Sequence, residues 1–306
     1  MANSASSRDF DLPPSPVVVS LTNPATTPAL LRIGAAVAHE FETPEIIALC
    51  AVQVPLQLSL EQAAETEGGP HGWRDAVMEA VKDTASDLDV DLRTQTLWSH
   101  DASSSFLDFI NEEHIAHIVM EWEPKQAGSR GKLTVADMRQ VAQHTESEVS
   151  LVKLGTEYAP HDVAALVADR PQAPWAVRRA WSITRHPGAS RLTLLHAREP
   201  SGASAEDDKD AGQRLIARVV HAAGVPKKNI RPVVLLDDDP GAAVIQALSA
   251  FDVACLGASA RGGMAKYLFG SVIDAVSDYY NGTAIVVLGP KYEKRTVVDE
   301  LISLVT

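Results

Sequence analysis

Two stretches, TNPATTPALLR at Thr22–Arg32 and ADRPQAPWAVR at Ala168–Arg178, decide how this chain is read. In each, a polar turn leads to a proline that opens an apolar run with helical spacing. The two lie 146 residues apart, and EIIALCA from Glu45 and RLTLLHA from Arg191 keep that offset. Later segments match with a drifting offset: SHDASSSFLDFI with DDDPGAAVIQAL, IAHIVM with VACLGA, and EVSLVKLG with TAIVVLGP. Self-similarity on this scale reads as one domain present twice.

Within the second copy, apolar runs predict strands near Val163–Ala168, Arg191–Ala197, Ile230–Leu236, Asp252–Leu256 and Thr283–Leu288. Amphipathic stretches predict helices near Pro174–His186, Asp210–Ala223, Pro240–Phe251 and Val272–Tyr280. Continuous apolar strands alternating with helices imply right-handed crossovers and a parallel sheet covered on both faces. The expected fold class is therefore α/β, with two tandem Rossmann-like, doubly wound domains. Each has a five-stranded, mainly parallel sheet with helices on both faces. The expected boundaries are a disordered lead at 1–14, domains at 15–155 and 162–290, and an amphipathic tail at 291–306. GTEYAPH, Gly155–His161, reads as the linker, while Glu65–Gly72 and Pro200–Lys209 read as solvated loops.

The 306 residues are 45% hydrophobic and 22% charged, an ordinary globular composition. A formal charge of -13 repels phosphate backbones and anionic surfaces, which argues against nucleic acid as a partner. The lead MANSASSRDFDLPP has no apolar core of a secretory signal, and no window suits a membrane span, so the expected location is cytoplasmic. Cys50 and Cys255 each sit in an apolar run and read as buried hydrophobes rather than as a disulfide.

The stretch LGASARGGMAKYLFGSV, Leu256–Val272, leaves an apolar strand and closes on Gly270-Ser271 before a helix. Ligands of open parallel sheets bind beyond the carboxyl ends of the strands where strand order reverses. Ser271 is placed to cap the next helix, with Asp274 three residues on, and the free amides of that first turn favour an anion. Gly257, Ala260 and Gly270-Ser271, with two and nine residues intervening, resemble the nucleotide-binding signature of the universal stress protein family. The five-strand order and the duplication resemble that family's tandem members. The resemblance implies that the second half holds ATP or a related adenine nucleotide, with or without Mg2+. It carries nucleotide-binding roles to Asp169, Ala197, Gly257, Ser259, Arg261, Gly263, Gly270, Ser271 and Val272. Asp169 would lie near the adenosine, and Gly257, Gly270, Ser271 and Val272 near the phosphates. The family's second motif glycine is Ala260 here, a departure that alters the loop path if that position needs a positive φ.

In the first half Asn23 replaces the aspartate, and Glu121 and Glu123 stand where phosphates need neutral or positive surroundings. GSRGK at Gly128–Lys132 lacks the glycine interval of a phosphate loop and its following hydroxyl residue. The first half is therefore expected to be a scaffold or partner surface. The resemblance implies a regulatory protein acting through partner contacts, as a homodimer or beside a membrane transporter. A slow ATP hydrolase using the same pocket is the alternative, although no residue stands out as its base.

Asp237-Asp238-Asp239-Pro240 reads as a helix cap rather than a magnesium site. The ten histidines show no metal-ligand spacing. His196 reads as a satisfied strand-end residue, His117 as structural, and Asn281-Gly282 as a left-handed helix stop.

Overall fold

The structure, a computed structural model, describes residues 16–65, 72–122, 135–185, 191–258, 275–276 and 278–290. The expected lead at 1–14 and tail at 291–306 lie outside the described residues. The first half runs β1 (Val17–Ser20), α1 (Thr27–Ala38), β2 (Glu45–Gln53), α2 (Leu60–Glu65), α3 (Gly72–Ala85), β3 (Asp91–Ser99), α4 (Ala102–Glu112), β4 (His117–Glu121), α5 (Val135–His144) and β5 (Glu148–Lys153). The second runs β6 (Val163–Leu166), α6 (Ala173–Thr184), β7 (Leu192–Arg198), α7 (Ala205–Ala223), β8 (Ile230–Leu236), α8 (Pro240–Leu248), β9 (Val253–Gly257) and β10 (Thr283–Leu288).

The two five-stranded units are fused into one ten-stranded sheet, ordered β3-β2-β1-β4-β5-β10-β9-β6-β7-β8. Among the described residues all strand pairs within a half are parallel, and only β5–β10, at the seam, is antiparallel. Seam pairing runs from Ala284 opposite Lys153 to Leu288 opposite Val149, centred on Val286 opposite Leu151. Glu148 pairs with His117 as Thr283 pairs with Val253, so Leu151 and Val286 are equivalent positions and a pseudo-twofold axis passes between them.

Period-two alternation along the buried strands sorts side chains to two faces. Val17, Val19, Ile46, Ala48 and Cys50 share one core with α1, α3, α6 and α7, and that core runs unbroken across the seam. Val18, Ile47, Leu49, Ile118 and Met120 share the other with α4 and α8. Cys50 and Cys255 are both buried and free.

The repeat extends to local chemistry. Pro28 and Pro174 open α1 and α6, where a missing N–H costs nothing. Asp101 accepts the Ser104 N–H at 3.1 Å and Asp239 the Ala242 N–H at 3.0 Å, so the aspartate before Pro240 is the expected cap.

Three expectations need correction. IAHIVM and VACLGA match two residues out of frame, because His117 and Val253 hold the same register against β1 and β6. Residues 205–209 are helix rather than loop: Ser204 accepts the Asp207 N–H at 3.1 Å, and Glu206, Asp207 and Asp208 suit the positive end of α7. Asn281 and Gly282 are not left-handed, and Gly282 is needed instead because a Cβ there would meet the Tyr280 ring and the Asp252 carbonyl.

At the seam, Arg179 of α6 is fully buried and reaches into the first half. Its Nη1 donates to Glu40 Oε1 at 2.8 Å, and its Nη2 donates to Glu148 Oε1 at 2.8 Å and to His117 Nδ1 at 3.1 Å. Because guanidinium only donates, His117 carries its proton on Nε2, which meets Ser150 Oγ at 3.0 Å. Ser182 Oγ donates to Glu40 as well. Burial, reinforced by the Arg179 charge, holds the His117 imidazole down to about 4. Burial raises the Glu40 carboxyl, whereas at Glu148 the charge and hydrogen bond of Arg179 overcome burial and hold it below the usual carboxylate range. His117 is structural, as expected, but as a member of an ionic cluster.

Candidate functional site

In each half the strand order reverses between the first and fourth strands, β1 and β4 or β6 and β9. In open α/β sheets ligands bind at such a reversal, beyond the carboxyl ends, which in the second half lie beside the loops after Leu166 and Gly257. Of the expected nucleotide-binding residues, Asp169, Ala197 and Gly257 are described. Ser259, Arg261, Gly263, Gly270, Ser271 and Val272 lie outside the described residues.

Gly257 is the last residue of β9. A Cβ on it would stand 2.4 Å from the carbonyl oxygen of Gln172, the residue that leads into α6. The glycine thus lets the start of α6 press directly on the strand end, a close helix–strand approach typical of dinucleotide folds. Gln172 is itself buried, and its Oε1 accepts the Gly289 N–H at 2.8 Å, tying α6 to the end of β10.

Asp169 lies in the loop after β6, and its Oδ1 accepts from Arg218 of α7 at 2.8 Å. Both side chains are largely exposed, so the pair is weak and easily exchanged. Ala197, near the end of β7 and next to His196, is half-buried and packs against the core shared with α4 and α8. The His196 ring nitrogen Nδ1 bonds the Val167 carbonyl at 2.9 Å, the satisfied strand-end role expected of it. Gly212 of α7 makes this approach feasible, since a Cβ there would meet Val234 and the His196 ring.

The first half fills the equivalent place differently. Glu121 stands at the position of Gly257, and its Oε2 accepts from Thr26 Oγ1, the counterpart of Gln172, at 2.7 Å. A carboxylate is thereby held across the strand end, where it opposes phosphate oxygens. Asn23, the counterpart of Asp169, turns its side chain onto its own loop and accepts the Ala25 N–H at 3.1 Å. The fragment at Gly128–Lys132 lies outside the described residues.

Two shaping residues, Gln172 and Arg218, were not anticipated. Gln172 shares its offset with Thr26, a signal present in the repeat; nothing in the sequence singles out Arg218 among the polar positions of α7.

No family model matches the chain, and no curated protein matches it. Among solved structures it is similar to a protein described as a universal stress protein from Pseudomonas aeruginosa UCBPP-PA14, at 14% identity and TM-score 0.56, covering 95% of this chain and 98% of that one. A universal stress protein from Archaeoglobus fulgidus DSM 4304 is similar at 12% identity and TM-score 0.52, covering 90% and 98%. A functionally unknown protein from Pseudomonas aeruginosa PAO1 is similar at 13% identity and TM-score 0.53, covering 95% and 97%. Among the described residues, no helix is long and apolar enough to cross a membrane. With both halves matched over nearly their full length, the chain has the fold of the tandem universal stress proteins.

Proposed function

We propose that this chain is a tandem universal stress protein that binds an adenine nucleotide of the ATP type in its second half and signals through partner contacts. The observation that carries this reading is the difference at the end of the fourth strand: Gly257 leaves backbone there, whereas Glu121 places a carboxylate. The sequence supplies the rest, with Gly270-Ser271 at the interval that suits phosphate and Asp169 at the first strand's end. Asp169 serves the ribose or base by exchanging its exposed contact with Arg218. Arg261 supplies a cation to the phosphates. The first half, closed by its own glutamate, serves as scaffold and as the surface offered to a second copy or a transporter.

Turnover needs a placed water, a metal and commonly a base. Near the described strand ends, Asp169 is assigned to the ribose or base and the His196 ring nitrogen Nδ1 is bonded to a carbonyl, so the reading gives neither the task of activating water. Titration calorimetry and thermal shift with ATP, AMP and cyclic adenylate, with and without Mg2+, test the reading. Heat and a raised unfolding temperature are expected for at least one nucleotide. Silence in both measurements overturns nucleotide binding, and steady phosphate release overturns the non-enzymatic part.

A further inference from the structure

The pseudo-twofold axis through Leu151 and Val286 makes the seam nearly self-complementary, so each half presents much the same edge to the other. What breaks the symmetry is charge. Arg179 is equivalent to Ile33, His117 to Val253, and Glu148 to Thr283, through the registers of α1 with α6, β4 with β9 and β5 with β10. Both Arg179 and its counterpart Ile33 are fully buried. All three side chains that accept from Arg179, namely Glu40, Glu148 and His117, belong to the first half.

Three seams are open to such edges. Joining a first half to a second buries one guanidinium against two carboxylates and an imidazole that accepts its N–H. A seam between two first halves would bury two copies of Glu148 and His117 facing Ile33, with no cation. A seam between two second halves would bury two copies of Arg179 facing Val253 and Thr283, with no anion. Leaving a buried charge without its partner is far costlier than replacing the whole set by apolar residues.

We propose that the Arg179–Glu148–His117–Glu40 cluster is a pairing code: it directs each half to the unlike half and bars association of like halves of two copies through β5 or β10. The code acts on assembly and is independent of any ligand in the crevice.

The test uses the full chain. Arg179→Ile alone leaves Glu148 unpaired and is expected to lower the unfolding midpoint strongly. The combined variant Arg179→Ile, His117→Val, Glu148→Thr and Glu40→Gln gives Arg179, His117 and Glu148 the residue of the equivalent position in the other half and removes the remaining carboxylate. It is expected to regain most of that midpoint. After refolding at rising concentration, light scattering should then show associated species at least several-fold more abundant than in the wild type. Leu151→Cys, added to both backgrounds, reports the geometry, because Leu151 meets its own copy only in a seam of like halves. Under a mild oxidant, crosslinked dimers should increase in the combined variant and stay at background otherwise. An unchanged refolding distribution, equal crosslinking in the two backgrounds, or a combined variant as unstable as Arg179→Ile would each overturn the proposal.

Discussion

The ends of β4 and β9 occupy the same place in two copies of one fold and have diverged in opposite directions. β4 ends in Glu121, whose carboxylate is held by Thr26, and β9 ends in Gly257, pressed against the carbonyl of Gln172. One duplicate thus ends its fourth strand in bare backbone packed under the start of α6, and the other ends it in a hydrogen-bonded carboxylate. The seam repeats the lesson: Arg179 and Ile33 are equivalent and equally buried, yet only one is charged. Duplication supplies a symmetric frame, and a few substitutions at equivalent positions make the halves chemically different.

The seam offers the largest expected effect. Replacing Arg179 by Ile leaves the buried Glu148 and the half-buried Glu40 without their cation and should cost about 3–5 kcal/mol, read from urea unfolding. A replacement at the equivalent position, Ile33→Val, stays within the apolar core and should cost only about 1 kcal/mol. Equal losses at the two positions would dissolve the distinction between them.

Next comes the strand end itself. Gly257→Val puts a Cβ 2.4 Å from the Gln172 carbonyl oxygen, where only backbone movement relieves it. A loss of about 1–3 kcal/mol is expected, as for overpacked cores. At the equivalent position, Glu121→Gln keeps the shape and should leave the thermal midpoint nearly unchanged.

How much of this was legible beforehand depended on whether the signal was local. Strands Ile230–Leu236 and Thr283–Leu288 are found where their apolar runs placed them, and Asp239 caps its helix as its neighbour Pro240 implied. The start of α7 was missed because Glu206, Asp207 and Asp208 resemble a solvated loop until Ser204 is seen to cap them. The cluster at Arg179 was not legible. An arginine on an amphipathic helix reads as surface, and only the β5–β10 register brings it to residues 31 and 62 positions away. At the strand ends, the sequence alone put Glu121 after the fourth strand, but its equivalence with Gly257 comes from the strand registers, and Gln172 and Arg218 become visible only when α6 and α7 are placed on the sheet.

Acid should expose the seam through His117. Its ordinary value is 6.5, and in the folded chain it is held near 4, so between these limits the unfolded chain binds the extra proton. Stability from this group is therefore complete above about pH 6.5 and declines as pH falls toward 4. The groups facing the ring are Arg179, Glu148 and Ser150. Going from about pH 7.5 to about 5, the wild type should lose about 2 kcal/mol more than His117→Val. Contributions from Glu40 and Glu148 are shared by the two proteins and largely cancel in that difference. Parallel pH dependences would contradict a buried neutral imidazole.

The smallest effect is at the helix caps, where the halves should behave alike. Asp101→Ala and Asp239→Ala each remove one accepted backbone N–H and should each cost about 1 kcal/mol in denaturant unfolding. A marked inequality would show that the repeat does not extend to local energetics.

The division between an open and a closed duplicate is tested most directly by the stoichiometry of adenine-nucleotide binding to the intact chain, measured by calorimetry with Asp169→Ala as the comparison. One nucleotide per chain, weakened by that substitution, is the expected result. Two nucleotides per chain, or one whose affinity ignores Asp169 and falls instead with Asn23→Ala, would place the site in the half that Glu121 closes.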